Sequence, residues 1–231
     1  MESDVQIGQV TAILPLCPFP PLHWWYLALG HHGGIACIDP DDVYQKQTLR
    51  NRISIAGPNG HLMIPIPVEG NFQNMRTLDV GLSSHIRPVH SWRTIQTAYG
   101  GSPYYDLLKD ELREIWFNFL PDFPDSEKKL GHFSMAGLEW VSELCHWTLP
   151  PFLQKTPDDA GELLDLRKKL ALKGNNWSFH RYTQLQEPRW GFISNLSVLD
   201  ALFMIGPNEL NRQLRTLVSP KDLNSHLKPK G

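Results

Sequence analysis

Three cations, Lys46, Arg50 and Arg52, fall within the nine residues Tyr44-Gln45-Lys46-Gln47-Thr48-Leu49-Arg50-Asn51-Arg52, among several amides and no acid. Such a stretch can grip an anion, because arginine offers a planar fork that matches carboxylate or phosphate and lysine a compact point charge. On composition alone a charge run reads first as a solvated strand end. Position gives the second reading. The stretch leads directly into Ile53-Ser54-Ile55-Ala56-Gly57 and then Leu62-Met63-Ile64-Pro65, separated by Pro58-Asn59-Gly60. That separator has the chemistry of a hairpin turn, so the cations are fixed to the base of a rigid element.

Other reactive side chains are scattered. His90 opens a helical pattern, His90-Ser91-Trp92-Arg93. A partly buried imidazole there is poised for proton transfer near neutral pH, and a surface histidine at a helix start is the alternative. There are ten histidines. The tightest pairs, His31-His32 and His85/His90, do not have the spacing of a metal-binding helix face, so no metal is expected. Asp165 and Arg167 read as helical but two apart, which points them to different faces. Each then reads as a surface residue. The three cysteines, Cys17, Cys37 and Cys145, are widely spaced. They form neither a disulfide framework nor a zinc knuckle and read as small buried residues of a reducing compartment. Cys17 has no histidine that the sequence can place beside it as a base. Nucleophile elbows, Walker loops and dinucleotide fingerprints do not occur, and no motif identifies a cofactor. The order strand, Pro-Phe-Pro-Pro-Leu-His23, helix resembles the start of nucleotidylyl-transferases, where a histidine at a helix N-terminus meets phosphates. The second histidine expected there is replaced by Trp25 and Tyr26.

These residues sit in a chain of 231 with 22 basic and 24 acidic side chains. A net charge of −2 gives no global pull toward nucleic acid. No apolar run approaches the roughly 20 residues of a membrane span. The acidic start Met1-Glu2-Ser3-Asp4 and the prolines at 15, 18, 20 and 21 argue against a signal peptide. The expectation is a cytoplasmic chain with a loose start over residues 1–10, one domain over 11–218 and a polar tail over 219–231.

The positioning elements follow from periodicity. Thr11-Ala12-Ile13-Leu14-Pro15-Leu16 reads as a short buried strand with Pro15 confined to its end, and Leu22 to Leu29 as a helix with Pro21 at its start. Ile35-Ala36-Cys37-Ile38-Asp39 reads as a second strand, giving a candidate right-handed βαβ unit. The hairpin comes next, and Thr77-Leu78-Asp79-Val80-Gly81-Leu82 alternates like another strand. From about Ile86 the period becomes helical. Trp92, Ile95, Gln96 and Tyr99 share one face. Ser102-Pro103 start a second helix with an apolar stripe of Leu107, Leu108, Leu112, Ile115, Trp116 and Phe119. Ser126 caps a third helix, Thr156-Pro157 open a fourth that runs to Lys173, and 181–185 reads as a last short strand. Asn195 or Ser194 caps a final helix that Gly206-Pro207 break. Strands first and helices after give an α+β fold: a mixed N-terminal sheet followed by a mostly helical half. The βαβ start keeps α/β open.

Four segments, in order, resemble the WbqC family. They are Leu16 to Leu29 with its Phe-Pro-Pro core; Tyr44-Gln45-Lys46-Gln47 with Arg50-Asn51-Arg52 and Ile55-Ala56-Gly57-Pro58-Asn59-Gly60; His90-Ser91-Trp92-Arg93 through Ala98-Tyr99 to Ser102-Pro103-Tyr104-Tyr105; and Gly191-Phe192 with Asn195-Leu196-Ser197-Val198-Leu199-Asp200 and Gly206-Pro207. Asp165-Leu166-Arg167 and Tyr182-Thr183-Gln184 resemble family positions too, so the likeness covers about 12–210. His23-Trp24-Trp25 is richer in aromatics than the family pattern, and Ile193-Ser194 stands where a proline is expected.

The resemblance implies a bacterial protein of O-antigen or other surface polysaccharide biosynthesis. It would transfer an amino acid such as glycine, or another acyl group, to an amino sugar. In that role Lys46, Arg50 and Arg52 hold the diphosphate of a nucleotide-linked sugar or another anionic leaving group. His90 and Lys46 are the catalytic candidates, with His90 taking the proton of the attacking amine. Asn51, Asn195 and Ser197 orient hydroxyls or the developing oxyanion. Asp165 and Arg167 add contacts, and Trp24, Trp92 or Tyr99 stack a ring. Two other roles stay open: a non-catalytic accessory protein that binds a sugar nucleotide or a partner enzyme, and a structural protein whose cations are solvated.

Overall fold

A computed structural model describes residues 10–30, 34–120, 128–154, 164–167 and 181–216. The loose start and tail, His31-His32, the Ser126 cap and most of the helix expected after Thr156 lie outside the described residues.

The βαβ unit forms as its pattern dictates. Strand β1 (Val10–Leu14) and strand β2 (Ile35–Ile38) are parallel, with Ala12 opposite Ala36 and Leu14 opposite Ile38, and helix α1 (Leu22–Ala28) connects them. Ala12, Ile13 and Leu14 have no solvent exposure. An uninterrupted apolar run of this kind suits a parallel strand covered on both faces. Helix α1 is buried all round, its tryptophans meeting edge to face at 5.0 Å and Trp25 reaching Trp147 at 5.1 Å.

Strands β3 (Arg52–Gly57) and β4 (Gly60–Pro65) make the expected hairpin, with Arg52 opposite Pro65 and Gly57 opposite Gly60. Gly60 adopts φ 97°, a conformation glycine reaches without strain. The hairpin is a two-stranded sheet of its own, because groups from elsewhere occupy β3's outer edge. Ser197 donates its backbone N–H to the Ser54 carbonyl (2.7 Å), and the Tyr99 hydroxyl accepts from the Ala56 N–H (3.3 Å).

The segment expected as a strand after Thr77 is instead a 3-10 turn over Thr77–Asp79. It is framed by short strands β5 (Val68–Glu69) and β6 (Gly81–Leu82), which pair with each other. Thr77 gives both its N–H and its hydroxyl to the Asp42 carbonyl, at 2.8 and 3.0 Å, and Arg76 pairs with Asp79 at 2.6 Å. These bonds curl the chain where alternation alone favours extension.

Helix α2 (Pro88–Tyr99) buries Trp92, Ile95 and Tyr99 and leaves Gln96 in solvent. Helix α3 (Tyr105–Phe119) begins beyond Ser102-Pro103, since the Ser102 hydroxyl bonds back to the Tyr99 carbonyl at 2.7 Å. Leu108, Leu112 and Trp116 point inward, whereas Leu107 is 70% exposed. Helix α4 (Leu130–Cys145) closes the aromatic core. Phe19 lies 5.7 Å from Phe133 and 6.1 Å from Trp116, and its ring occupies the space where a side chain at Gly137 would go.

Two further corrections concern the second half. Leu164–Asp165 is a strand, β7, parallel to β1 on the side away from β2, so Asp165 and Arg167 are not helical. Residues 181–184 form no strand, and a four-residue helix, α5 (Glu187–Trp190), follows. Helix α6 (Val198–Thr216) kinks at Gly206, φ 75° and ψ 168°. A Cβ there would lie 2.5 Å from the Tyr104 ring. The architecture is α+β.

The N-terminus of α1 carries a testable consequence. His23 is buried and its Nδ1 lies 2.6 Å from the Asn195 Oδ1, which also accepts the His23 backbone N–H at 3.2 Å. Burial holds the imidazole down at about 4, against an ordinary 6.5, with the Asn195 bond opposing it. The unfolded chain therefore takes up a proton below 6.5 and the folded chain does not until about 4. The contribution is complete above 6.5 and falls by roughly 3 kcal/mol as the pH drops to 4. Urea denaturation at neutral pH and near pH 4.5 should show His23→Gln losing less stability on acidification than the parent. Equal losses would remove His23 from this role.

Candidate functional site

Strand order β2-β1-β7 places the strand reached through the crossover helix on one side of β1 and a later strand on the other. In open parallel sheets, the crevice outside the carboxyl ends of the strands, where the order reverses, is where ligands collect. Three carboxylates and two arginines gather at this edge. Asp39 follows the last residue of β2, Asp165 ends β7 and Arg167 lies two residues beyond.

The Arg167 guanidinium makes a two-point contact with Asp165 (2.9 and 2.7 Å) and reaches Asp39 at 2.6 Å. These partners raise its affinity for the proton, Asp165 most, against a smaller opposing effect of burial. The pair that sequence spacing separates is thus a direct ion pair, because the chain turns immediately after β7 and Arg167 folds back over the strand end. The Arg167 side chain keeps 26% of its surface exposed.

Arg50 is tied to this group from below. It is 2% exposed and forms a two-point pair with Asp42, both contacts at 2.6 Å. It also donates to the Arg167 carbonyl at 2.8 Å. Thr48 caps the 3-10 turn Leu49–Asn51, which turns the Arg50 side chain inward. Burial pushes the Asp42 carboxyl up, and the bonds from Arg50 pull it down. Asn51 is committed as well, donating from Nδ2 to the Ile66 carbonyl at 3.1 Å. Arg50 and Asn51 therefore build the edge and do not present a free grip.

Lys46 and Arg52 differ. Lys46 is exposed and lies 4.8 Å over the Phe72 ring, which packs on Tyr44 at 4.9 Å. Arg52 is half-buried beside Tyr44, whose hydroxyl is pushed up by burial and pulled down by Arg52 and Arg50. Among the described residues, neither cation has an ion-pair partner. The nine-residue stretch thus divides into one cation that holds the fold and two that face outward.

The remaining candidates lie elsewhere. His90 is exposed and lines a separate cavity of about 410 Å³, walled by Leu62, Ile64, Ile66, His85 and Arg87. That cavity shares no lining residue with the charged edge. Tyr99 is buried and donates its hydroxyl to Asp200 at 2.8 Å. Tyr182 and Gln184 reach the same carboxylate at 2.7 and 2.9 Å. Trp24 and Trp92 belong to the core and cannot stack a ligand. Ser197 donates to the Phe19 carbonyl at 2.7 Å, and its Oγ accepts the Leu199 N–H. Asn195, expected to cap the final helix, caps α1, with His23 sealed beneath it. This protein–protein contact fills the place where the nucleotidylyl-transferase comparison puts phosphate. Cys17 is wholly buried, and burial pushes its thiol far up, which makes it inert. Among the described residues, no three His, Cys, Asp or Glu side chains converge on a metal-sized site, and no helix is long and apolar enough to cross a membrane.

Asp39 and Asp42 were not found from the sequence, although an acid directly after the apolar run Ile35-Ala36-Cys37-Ile38 is a usable sign of a strand's carboxyl end. Asp42→Ala should cost about 3–5 kcal/mol, since it leaves the Arg50 charge buried and unpaired. Asp165→Ala, acting on the partly exposed Arg167, should cost about 1 kcal/mol. Urea denaturation of the two variants reads the difference, and equal costs would contradict this account of the edge.

No curated protein and no solved structure matches the chain. Residues 36–148 match the WbqC-like protein family. The matched stretch contains the cation segment, the hairpin and α2 through α4; the Phe-Pro-Pro segment and the Asn-Leu-Ser segment lie outside it. Across residues 36–148, where the cations and their hairpin lie, the chain is similar to the WbqC-like protein family.

Proposed function

We propose that the protein is a transferase of surface polysaccharide biosynthesis that binds a nucleotide-linked amino sugar at the carboxyl edge of its parallel sheet and acylates or aminoacylates the sugar amine. The observation that carries this reading is the division of charge in the segment 44–52. Arg50 is locked into Asp42, while Lys46 and Arg52 on the same short segment are left without ion-pair partners among the described residues. A cation that the fold does not neutralise, held on a rigid base, is suited to a diphosphate. The similarity of 36–148 to the WbqC-like family supports the pathway, through that family's association with polysaccharide genes.

In this role Lys46 and Arg52 hold the phosphates. Arg167, partly exposed between Asp39 and Asp165, borders the sugar. Arg50 and Asn51 support the segment from within. Tyr99, Asn195 and Ser197 act by holding the scaffold. The second reading is a binding protein without turnover, favoured by the absence of Lys46 and Arg52 from the lining of the cavity that holds His90, the expected base.

Isothermal titration with nucleotide-linked amino sugars tests the reading. Lys46→Ala and Arg52→Ala should each weaken binding about 10- to 100-fold, the worth of a charge-assisted contact, with little change in unfolding temperature. His90→Ala should bind like the parent. Unchanged affinity in Arg52→Ala would sink the phosphate grip, and tight binding without acyl transfer would select the second reading.

A further inference from the structure

The register of the hairpin creates a pair of side chains that the cation segment alone does not reveal. Ser54 stands opposite Met63, and His61 stands opposite Ala56. Side chains alternate along a strand, so Ser54 and His61 share one face as diagonal neighbours. The Ser54 Oγ and the His61 Nε2 are 2.7 Å apart. Arg52 lies on the same face one step along the strand, roughly 7 Å from Ser54 by strand geometry. A serine within hydrogen-bond reach of an imidazole is the arrangement of a nucleophile with its general base.

We infer that Ser54 and His61 form a nucleophile–base dyad that carries the acyl group as a serine ester, with Arg52 holding an anionic part of the donor or acceptor beside it. The inference rests on the acyl-transfer reading above and supplies the base that His90, in its separate cavity, does not. The donor class is an activated carboxyl compound, an oxoester or thioester. The Ser54 oxygen bonds to the donor's carbonyl carbon while its proton passes to His61 Nε2. The donor's C–O or C–S bond breaks, and the leaving group departs with that proton. The sugar amine then attacks the ester carbonyl and gives a proton to His61. The C–O bond to Ser54 breaks, the new amide leaves, and the serine oxygen recovers its proton. No oxidant or reductant is needed.

The surroundings favour this chemistry. The Ser54 carbonyl is fixed by the Ser197 N–H at 2.7 Å, which holds β3 rigidly. Ser54 retains 8% of its surface, and His61 is exposed, so the base borders solvent while the nucleophile lies just below. Partial burial lowers the imidazole's affinity for a proton, keeping it in the neutral form that accepts one. The turn Pro58-Asn59, which sets this diagonal, is steadied by Trp190, whose indole N–H donates to the Pro58 carbonyl at 2.9 Å.

The test is acylation of the full-length protein with p-nitrophenyl acetate, followed by burst kinetics, intact mass and peptide mapping. The expected result is one acetyl group per chain on Ser54, absent from Ser54→Ala. The burst should be at least about 100-fold slower in His61→Gln, the usual contribution of a general base. His61 is exposed, so this second variant keeps the test valid should Ser54→Ala fail to fold. No burst, acetylation only at lysines, or a parental rate in His61→Gln would overturn the dyad. Titration with nucleotide-linked amino sugars in parallel separates the two readings. Binding without serine acylation removes the dyad and leaves the sugar site; acylation without binding does the reverse.

Discussion

One carboxylate with almost no access to water, Asp200, joins helix α6 to helix α2 and to the segment before α5. Three donors converge on it, from Tyr99 on α2 and from Tyr182 and Gln184 in the segment before α5. Burial raises the Asp200 carboxyl, the three hydrogen bonds lower it, and the same burial pushes both phenols far above their ordinary range. A buried carboxylate is tolerable only when its lone pairs are met. The network is therefore all-or-none: losing one donor strands the others in a low-dielectric interior. Through Tyr99 it extends to the backbone of β3, so the strand that begins with Arg52 inherits its position from a residue almost 150 places later.

The cation segment shows how charge can serve fold and surface at once. Burying Arg50 is costly alone, and the two-point pair with Asp42 together with the Arg167 carbonyl makes it acceptable. The pair forms because the backbone turns at Gln47, φ 61°, and Thr48 then caps the following turn. Neighbours in sequence thereby diverge in environment. Alternation along β3 does the rest, setting Arg52 on the face of Ser54 and away from the Ile53 face.

The legible parts were those where one local signal was strong. Apolar runs with prolines and glycines between them give β1, α1 and β2, and Pro58-Asn59-Gly60 gives the hairpin. The illegible parts depend on partners distant in sequence. Thr77 is drawn into a turn by Asp42, thirty-five residues earlier. Strand β7 has only two residues and no periodicity of its own; it exists because β1 offers an open edge. Arg167 looked solvated because its partners belong to strand ends that only the assembled sheet brings together. Asn195 was read as capping the helix nearest in sequence, whereas the helix it caps is nearest in space.

The covering of β3's outer edge has a consequence for solubility. An uncovered strand edge is a template for pairing with another chain. Here the Ser54 carbonyl and the Ala56 N–H are already engaged by Ser197 and Tyr99. The contacts that position Arg52 thus also shield an Ile-Ser-Ile-Ala run of strong β-propensity. Damage to the Tyr99–Asp200 tether would uncover that run in an otherwise folded molecule, so the first symptom of a weakened interior would be self-association of the hairpin before any loss of helix.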